Sequence, residues 1–177
     1  AMQPLSHRLG RLRVGALEGA MGRKTPARKV LAHAARLQAN AVFALDELGH
    51  RRSTPQEEVH LQLLGTVIDD HALGSVEYGA EHLHAKAVLV LGHTGCGAVE
   101  AALTGSAHGY IKTITDEISS GLSQGISSEQ AEILNVFNSI ERIRESEIMK
   151  SLEEDGSVVI QGALYDTFSG QVEYIGE

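Results

Sequence analysis

An imidazole and the only thiol of the chain stand three residues apart in Leu91-Gly92-His93-Thr94-Gly95-Cys96-Gly97-Ala98-Val99. Upstream, Lys86 to Leu91 is a short β-branched apolar run of the kind buried in a parallel sheet, and downstream Gly97 to Leu103 reads as helix. The pair therefore falls at a strand-to-helix turn. Cys96 lies near a helix N-terminus, where the macrodipole and unpaired N–H groups favour thiolate, and His93 projects from the strand end beside it. One nitrogen and one sulfur suit a transition metal such as zinc. Protein-bound zinc takes three or four side chains, however, so His-x-x-Cys alone reads more readily as a core cysteine beside a turn histidine.

The flanking segments add a pattern. Gly65-Thr66-Val67-Ile68-Asp69-Asp70 leads into Gly74-Ser75-Val76-Glu77-Tyr78; Gly92 to Ala98 follows; Asn135-Val136-Phe137 precedes Ile140, Ile143 and Arg144-Glu145-Ser146; and Gly162-Ala163-Leu164-Tyr165-Asp166 closes with Gly170 and Val172. In this order, over about residues 62 to 176, the segments resemble the β-class carbonic anhydrases. In that family a Gly-Asn pair stands where Gly65-Thr66 does, and Gly-His-x-x-Cys-Gly-Ala carries two zinc ligands. The resemblance implies zinc on His93 and Cys96, backbone at Gly97 and Ala98 meeting bicarbonate, carbon dioxide and bicarbonate as substrates, and a homodimer or higher homo-oligomer.

The same resemblance exposes a gap. The family's first zinc ligand lies in a Cys-x-Asp-x-Arg motif at a strand end, and the equivalent strand here is Ala41-Val42-Phe43, followed by Ala44-Leu45-Asp46-Glu47-Leu48. Ala44 then takes the Cys position, Asp46 matches the Asp, and Leu48 replaces the Arg. Cys96 is the sole cysteine, so no realignment restores the thiol. Asp46 is left as third metal ligand or as the catalytic hydrogen-bond acceptor beside the metal. A three-ligand zinc with an open position would still acidify water and hydrate carbon dioxide, or attack a related linear molecule such as carbonyl sulfide. The alternative is a non-catalytic homologue, a scaffold, assembly or regulatory subunit with zinc binding lost or weakened. His50, Arg51 and Arg52 follow the altered motif; one could replace a lost ligand or cation, although an exposed basic loop explains them as well.

To position such a site the chain must alternate strand and helix, and its periodicity does. Helix is expected over Pro26 to Leu37, strand over Ala41 to Ala44 and near Val59 to Leu64, helix over Gly74 to His84, strand over Lys86 to Leu91 and helix over Cys96 to Leu103. Ile111 to Leu122 reads as helix, Ser127 and Gln130 open a long helix running to about Glu154, and strands follow at Val158 to Tyr165 and Gln171 to Ile175. The expectation is one α/β domain over residues 1–177, a mostly parallel central sheet flanked by helices, with a basic helical arm over 1–36 and the core over 37–177. Among other polar residues, Asp69 and Asp70 read as helix caps, His71 as a hydrogen-bonding turn residue with a proton shuttle as the lesser reading, and His82 and His84 as helix-end residues. Glycines 92, 95 and 97 lack the spacing of a dinucleotide loop and suit close approach of backbone to a small anion.

Composition bounds the partners. The net charge of -8 argues against bulk nucleic-acid affinity, and no run approaches the roughly 20 apolar residues that span a bilayer. A lone cysteine excludes an internal disulfide and suits a reducing interior, cytoplasmic or organellar. Arg8, Arg11, Arg13, Arg23, Lys24, Arg28, Lys29 and Arg36 face only Glu18 in the first 36 residues. An arm packing on a partner subunit explains that stretch better than a targeting leader, which stays open.

Overall fold

A computed structural model describes residues 41–45 and 59–175. Five strands form one sheet in the order β2-β1-β3-β4-β5: β1 (Ala41–Leu45), β2 (Val59–Gln62), β3 (Ala87–His93), β4 (Val159–Tyr165) and β5 (Val172–Ile175). A 3-10 turn (Leu64–Thr66) leads to α1 (Asp70–Glu81). Between β3 and β4 run α2 (Gly97–Thr104), α3 (Ile111–Ser120), α4 (Ser128–Arg144) and α5 (Glu147–Glu154). That long helical passage is the crossover which a parallel β3–β4 pair requires.

The central strand explains the rest. Val88 and Val90 pack with Val76 of α1, Val136, Ile140 and Ile143 of α4, Met149 of α5 and Ile160 of β4. Leu89 and Leu91, on the other face, are equally buried, so β3 is apolar and buried from Ala87 to Leu91.

The α/β class expected from the sequence is the observed one, but the sheet is mixed rather than mostly parallel. β1 runs antiparallel to both β2 and β3, and β5 antiparallel to β4, leaving β3–β4 as the parallel pairing. The physical reason is that Ala41-Val42-Phe43 is apolar read in either direction, and ladders of either sense bury such a strand. The arm over 1–36 lies outside the described residues.

Helix boundaries follow local hydrogen-bond chemistry. Asp69 caps α1 by accepting the Ala72 N–H at 2.8 Å, and Ser127 and Gln130 form the expected capping box of α4. The single helix expected to reach Glu154 is instead two. Ser146 leaves helical geometry, accepts the Met149 N–H to start α5, and donates its hydroxyl to Glu77 of α1 at 2.5 Å.

Thr66 is fully buried at a φ of 54°, a left-handed conformation that a β-branched residue rarely adopts. α4 holds it there. Asn135 Nδ2 donates to Gly65 O at 2.5 Å and to Thr66 Oγ1 at 3.0 Å, and Ser139 Oγ donates to Thr66 O at 2.8 Å.

At the β4–β5 hairpin, Asp166 Oδ1 accepts the N–H groups of Ser169 and Phe168, and these bonds hold its carboxyl below the usual carboxylate range. A carboxyl depressed in the folded state stabilises the fold above its unfolded pKa of about 3.9, and the gain is lost as pH falls through the lower folded value. Asp166→Ala should therefore unfold at lower urea than the parent at neutral pH, with the two midpoints converging as pH is taken below about 3.9. A gap that persists unchanged in acid would contradict this origin.

Candidate metal centre

β3 delivers His93 to the carboxyl end of the parallel pair, where it registers against Tyr165 of β4. The chain then turns sharply. Gly95 takes a φ of 70°, accessible to glycine without steric cost, and the turn brings Cys96 back beside His93 as the cap residue of α2. Two tethers fix the turn to the hairpin: Thr94 N–H donates to Tyr165 O at 2.9 Å, and Thr167 N–H donates to Thr94 Oγ1 at 3.0 Å.

His93 is half-buried and Cys96 is only 4% exposed, and their side chains are hydrogen-bonded to each other. That bond is the largest influence on the imidazole and raises its pKa above 6.5; burial opposes it, and the Thr94 carbonyl and the charge of Glu132 act in the same upward direction. Nδ1 lies 3.0 Å from Thr94 O. A carbonyl only accepts, so Nδ1 carries the hydrogen and the neutral ring keeps its lone pair on Nε2, the arrangement found in metal-binding histidines.

A residue that sequence reading passed over stands behind this pair. Glu132 of α4 is 7% exposed, and its Oε1 accepts the Cys96 N–H at 3.0 Å. In sequence it is one acidic residue among several on an amphipathic helix, 36 positions from its partner. No local pattern marks it.

The other anticipated residues divide clearly. Gly97 and Ala98 open α2 directly after Cys96, Gly97 exposed and Ala98 buried. Ala44 pairs with Val88 and Leu45 with Ala87, so the register sets Ala44 five residues short of His93, about 17 Å along the strand. Asp46, Leu48, His50, Arg51 and Arg52 lie outside the described residues. His71 is exposed on the first turn of α1, whose cap is Asp69. His82 sits at the C-terminal end of α1, edge-on to Tyr78 with ring centroids 4.9 Å apart, as a helix-end histidine should. His84 is exposed two residues farther on.

Among the described residues no group of three His, Cys, Asp or Glu side chains is placed to hold a metal ion. His93 and Cys96 fit zinc in kind, one neutral nitrogen and one sulfur, and fall short in number.

The sequence profile of the carbonic anhydrase family matches residues 27–172, most of the chain. The chain belongs to the β-class carbonic anhydrase family. A carbonic anhydrase of Mycolicibacterium smegmatis is 31% identical over 121 residues, 62% of this chain and 58% of that protein. The chain thus matches less than two thirds of the length of this curated relative. Among solved structures, the β-carbonic anhydrase CcaA covers 92% of this chain and 96% of its own with a TM-score of 0.56 at 17% identity. A tetrameric β-carbonic anhydrase of Sordaria macrospora covers 64% and 66% with a TM-score of 0.55 at 19% identity. The structural likenesses establish the fold, and the profile establishes the family.

Within that family frame, the placement of the His-x-x-Cys turn depends on Gly92. A Cβ there would meet Val136 Cγ2 at 2.5 Å, and Val136 is a rigid, fully buried side chain of α4. Gly92→Ala should cost about 1–3 kcal/mol in urea unfolding, because strand and helix must part to admit one methyl. A loss of a few tenths would show the approach to be looser than described.

Proposed function

We propose that this protein catalyses the reversible hydration of carbon dioxide to bicarbonate, with zinc held by His93, Cys96 and a third donor from residues 46–58. The observation that supports this reading is the prearranged pair: Thr94 O selects the ring tautomer, and the Gly95 turn sets the thiol against the ring. Zinc held there would lower the pKa of a bound water toward about 7 and so supply hydroxide for carbon dioxide hydration. The chain's own contribution is to orient and to exclude. Cys96 sits among Ala98, Val99, Ile118 and Ala131, an apolar wall on one side of the centre. Gly97 and Ala98 carry N–H groups of the first turn of α2, which suit the oxygens of a small anion such as bicarbonate.

Asp46 is the third donor that family resemblance indicates. β1 runs antiparallel to β3 and ends with Leu45 opposite Ala87, six residues or about 20 Å from His93, so Asp46 meets His93 only if that strand runs parallel to β3; His50, farther along the chain, is the other candidate donor. Assembly into a homodimer or larger homo-oligomer belongs to the same proposal. No described helix is long and apolar enough to cross a membrane.

A second reading has its own support. The register of Ala44 against Val88, the absence of a donor atom on Ala44 and the apolar Leu48 favour a non-catalytic family member that serves as a scaffold, assembly or regulatory subunit.

Zinc content and carbon dioxide hydration, measured on protein purified without added metal and again after zinc loading, separate the two. The catalytic reading expects close to one zinc per chain and turnover that Cys96→Ser abolishes. It also expects either Asp46→Ala or His50→Ala to weaken zinc at least tenfold, which names the third donor. Absent zinc and absent turnover after loading contradict the catalytic reading and leave the scaffold reading.

A further inference from the structure

We propose that Glu132 is a positioning residue, which holds Cys96 at ligand distance from His93 by accepting the Cys96 backbone N–H. The inference rests on the pair being the metal-binding half of the centre, and it assigns a residue outside both the His-x-x-Cys turn and β1.

Cys96 has extended backbone geometry, with φ of -68° and ψ of 112°, and helix begins only at the following residue. Its Sγ position is therefore set by how the N-terminus of α2 is anchored. Two groups on α4 provide that anchor. Glu132 Oε1 takes the Cys96 N–H at 3.0 Å in a buried setting, and one turn earlier Ser128 Oγ donates to Glu100 Oε2 at 2.9 Å on the surface. The apolar cluster of Ala98, Val99, Ile118 and Ala131 around Cys96 offers no alternative acceptor for that amide. Without an oxygen at residue 132 the amide would lose its partner, and the turn would have to shift to regain one. Metal–ligand distances tolerate only about 0.2 Å, so such a shift is felt at the centre.

Because Cys96 is the only thiol, its alkylation by iodoacetamide in the metal-free 177-residue chain reports its shielding directly. Cobalt(II), followed by its sulfur-to-metal absorption, reports the centre. Glu132→Gln keeps an oxygen acceptor without charge, Glu132→Asp keeps charge but withdraws the oxygen by one methylene, and Glu132→Ala removes both. The proposal expects Glu132→Ala and Glu132→Asp to be alkylated at least tenfold faster than the parent and to bind cobalt at least tenfold more weakly, with Glu132→Gln within about threefold on both readouts. Should Glu132→Ala fail to fold, the Asp and Gln variants decide alone. Parental behaviour in Glu132→Asp with impairment in Glu132→Gln would overturn positioning in favour of charge, and parental behaviour in every variant would overturn any role. If the parent itself binds no cobalt, the zinc reading fails while the alkylation series still decides what Glu132 does.

Discussion

The close approach of α4 to β3 is the constraint on which the rest of the molecule depends. It exists because Gly92 and Gly162 present no side chain where Val136 and Ile140 arrive. A helix brought that near can reach the neighbouring loops with short polar side chains. Asn135 and Ser139 grip the buried turn at Gly65 and Thr66, Glu132 takes the amide of Cys96, and Arg142 pairs with Asp70 at 2.6 Å. The last is an exposed pair and contributes little to stability. The others are buried, where an unmatched amide or carbonyl costs about 1–3 kcal/mol, so each also fixes where α4 sits.

The candidate centre is an outgrowth of that packing. A strand buried on both faces ends at His93, a glycine turn reverses the chain, and a short helix starts one residue after Cys96. The arrangement makes a nitrogen and a sulfur converge. Zinc takes at least three protein ligands at a catalytic site. The proposed zinc therefore needs one more donor, which the sheet register does not supply at Ala44. A β-class carbonic anhydrase fold thus carries two of the proposed donors at the turn between β3 and α2.

Much of this was legible in the sequence, for identifiable reasons. The uniform apolarity of Val88 to Leu91 announced a doubly buried strand. The Ser127 and Gln130 spacing announced a capping box, and the apolar run before His93 with the helical run after Cys96 announced a strand-to-helix turn. Each of these is a local signal, in which the residues that interact are neighbours in the chain. Three features were not legible because their causes are distant or symmetric. The direction of β1 cannot be read from Ala41-Val42-Phe43, which is apolar either way. The break after Arg144 depends on Ser146 finding both Met149 N–H and Glu77, and Glu77 lies 69 residues away. Glu132 acquires its partner only when α4 docks on α2.

The central claim is that the surviving imidazole and thiol bind zinc together. X-ray absorption at the zinc edge of the loaded protein tests it most directly. The account predicts one sulfur at about 2.3 Å with nitrogen and oxygen scatterers at about 2.0–2.2 Å, the sulfur shell vanishing in Cys96→Ser. Zinc surrounded only by nitrogen and oxygen in the parent chain would contradict it.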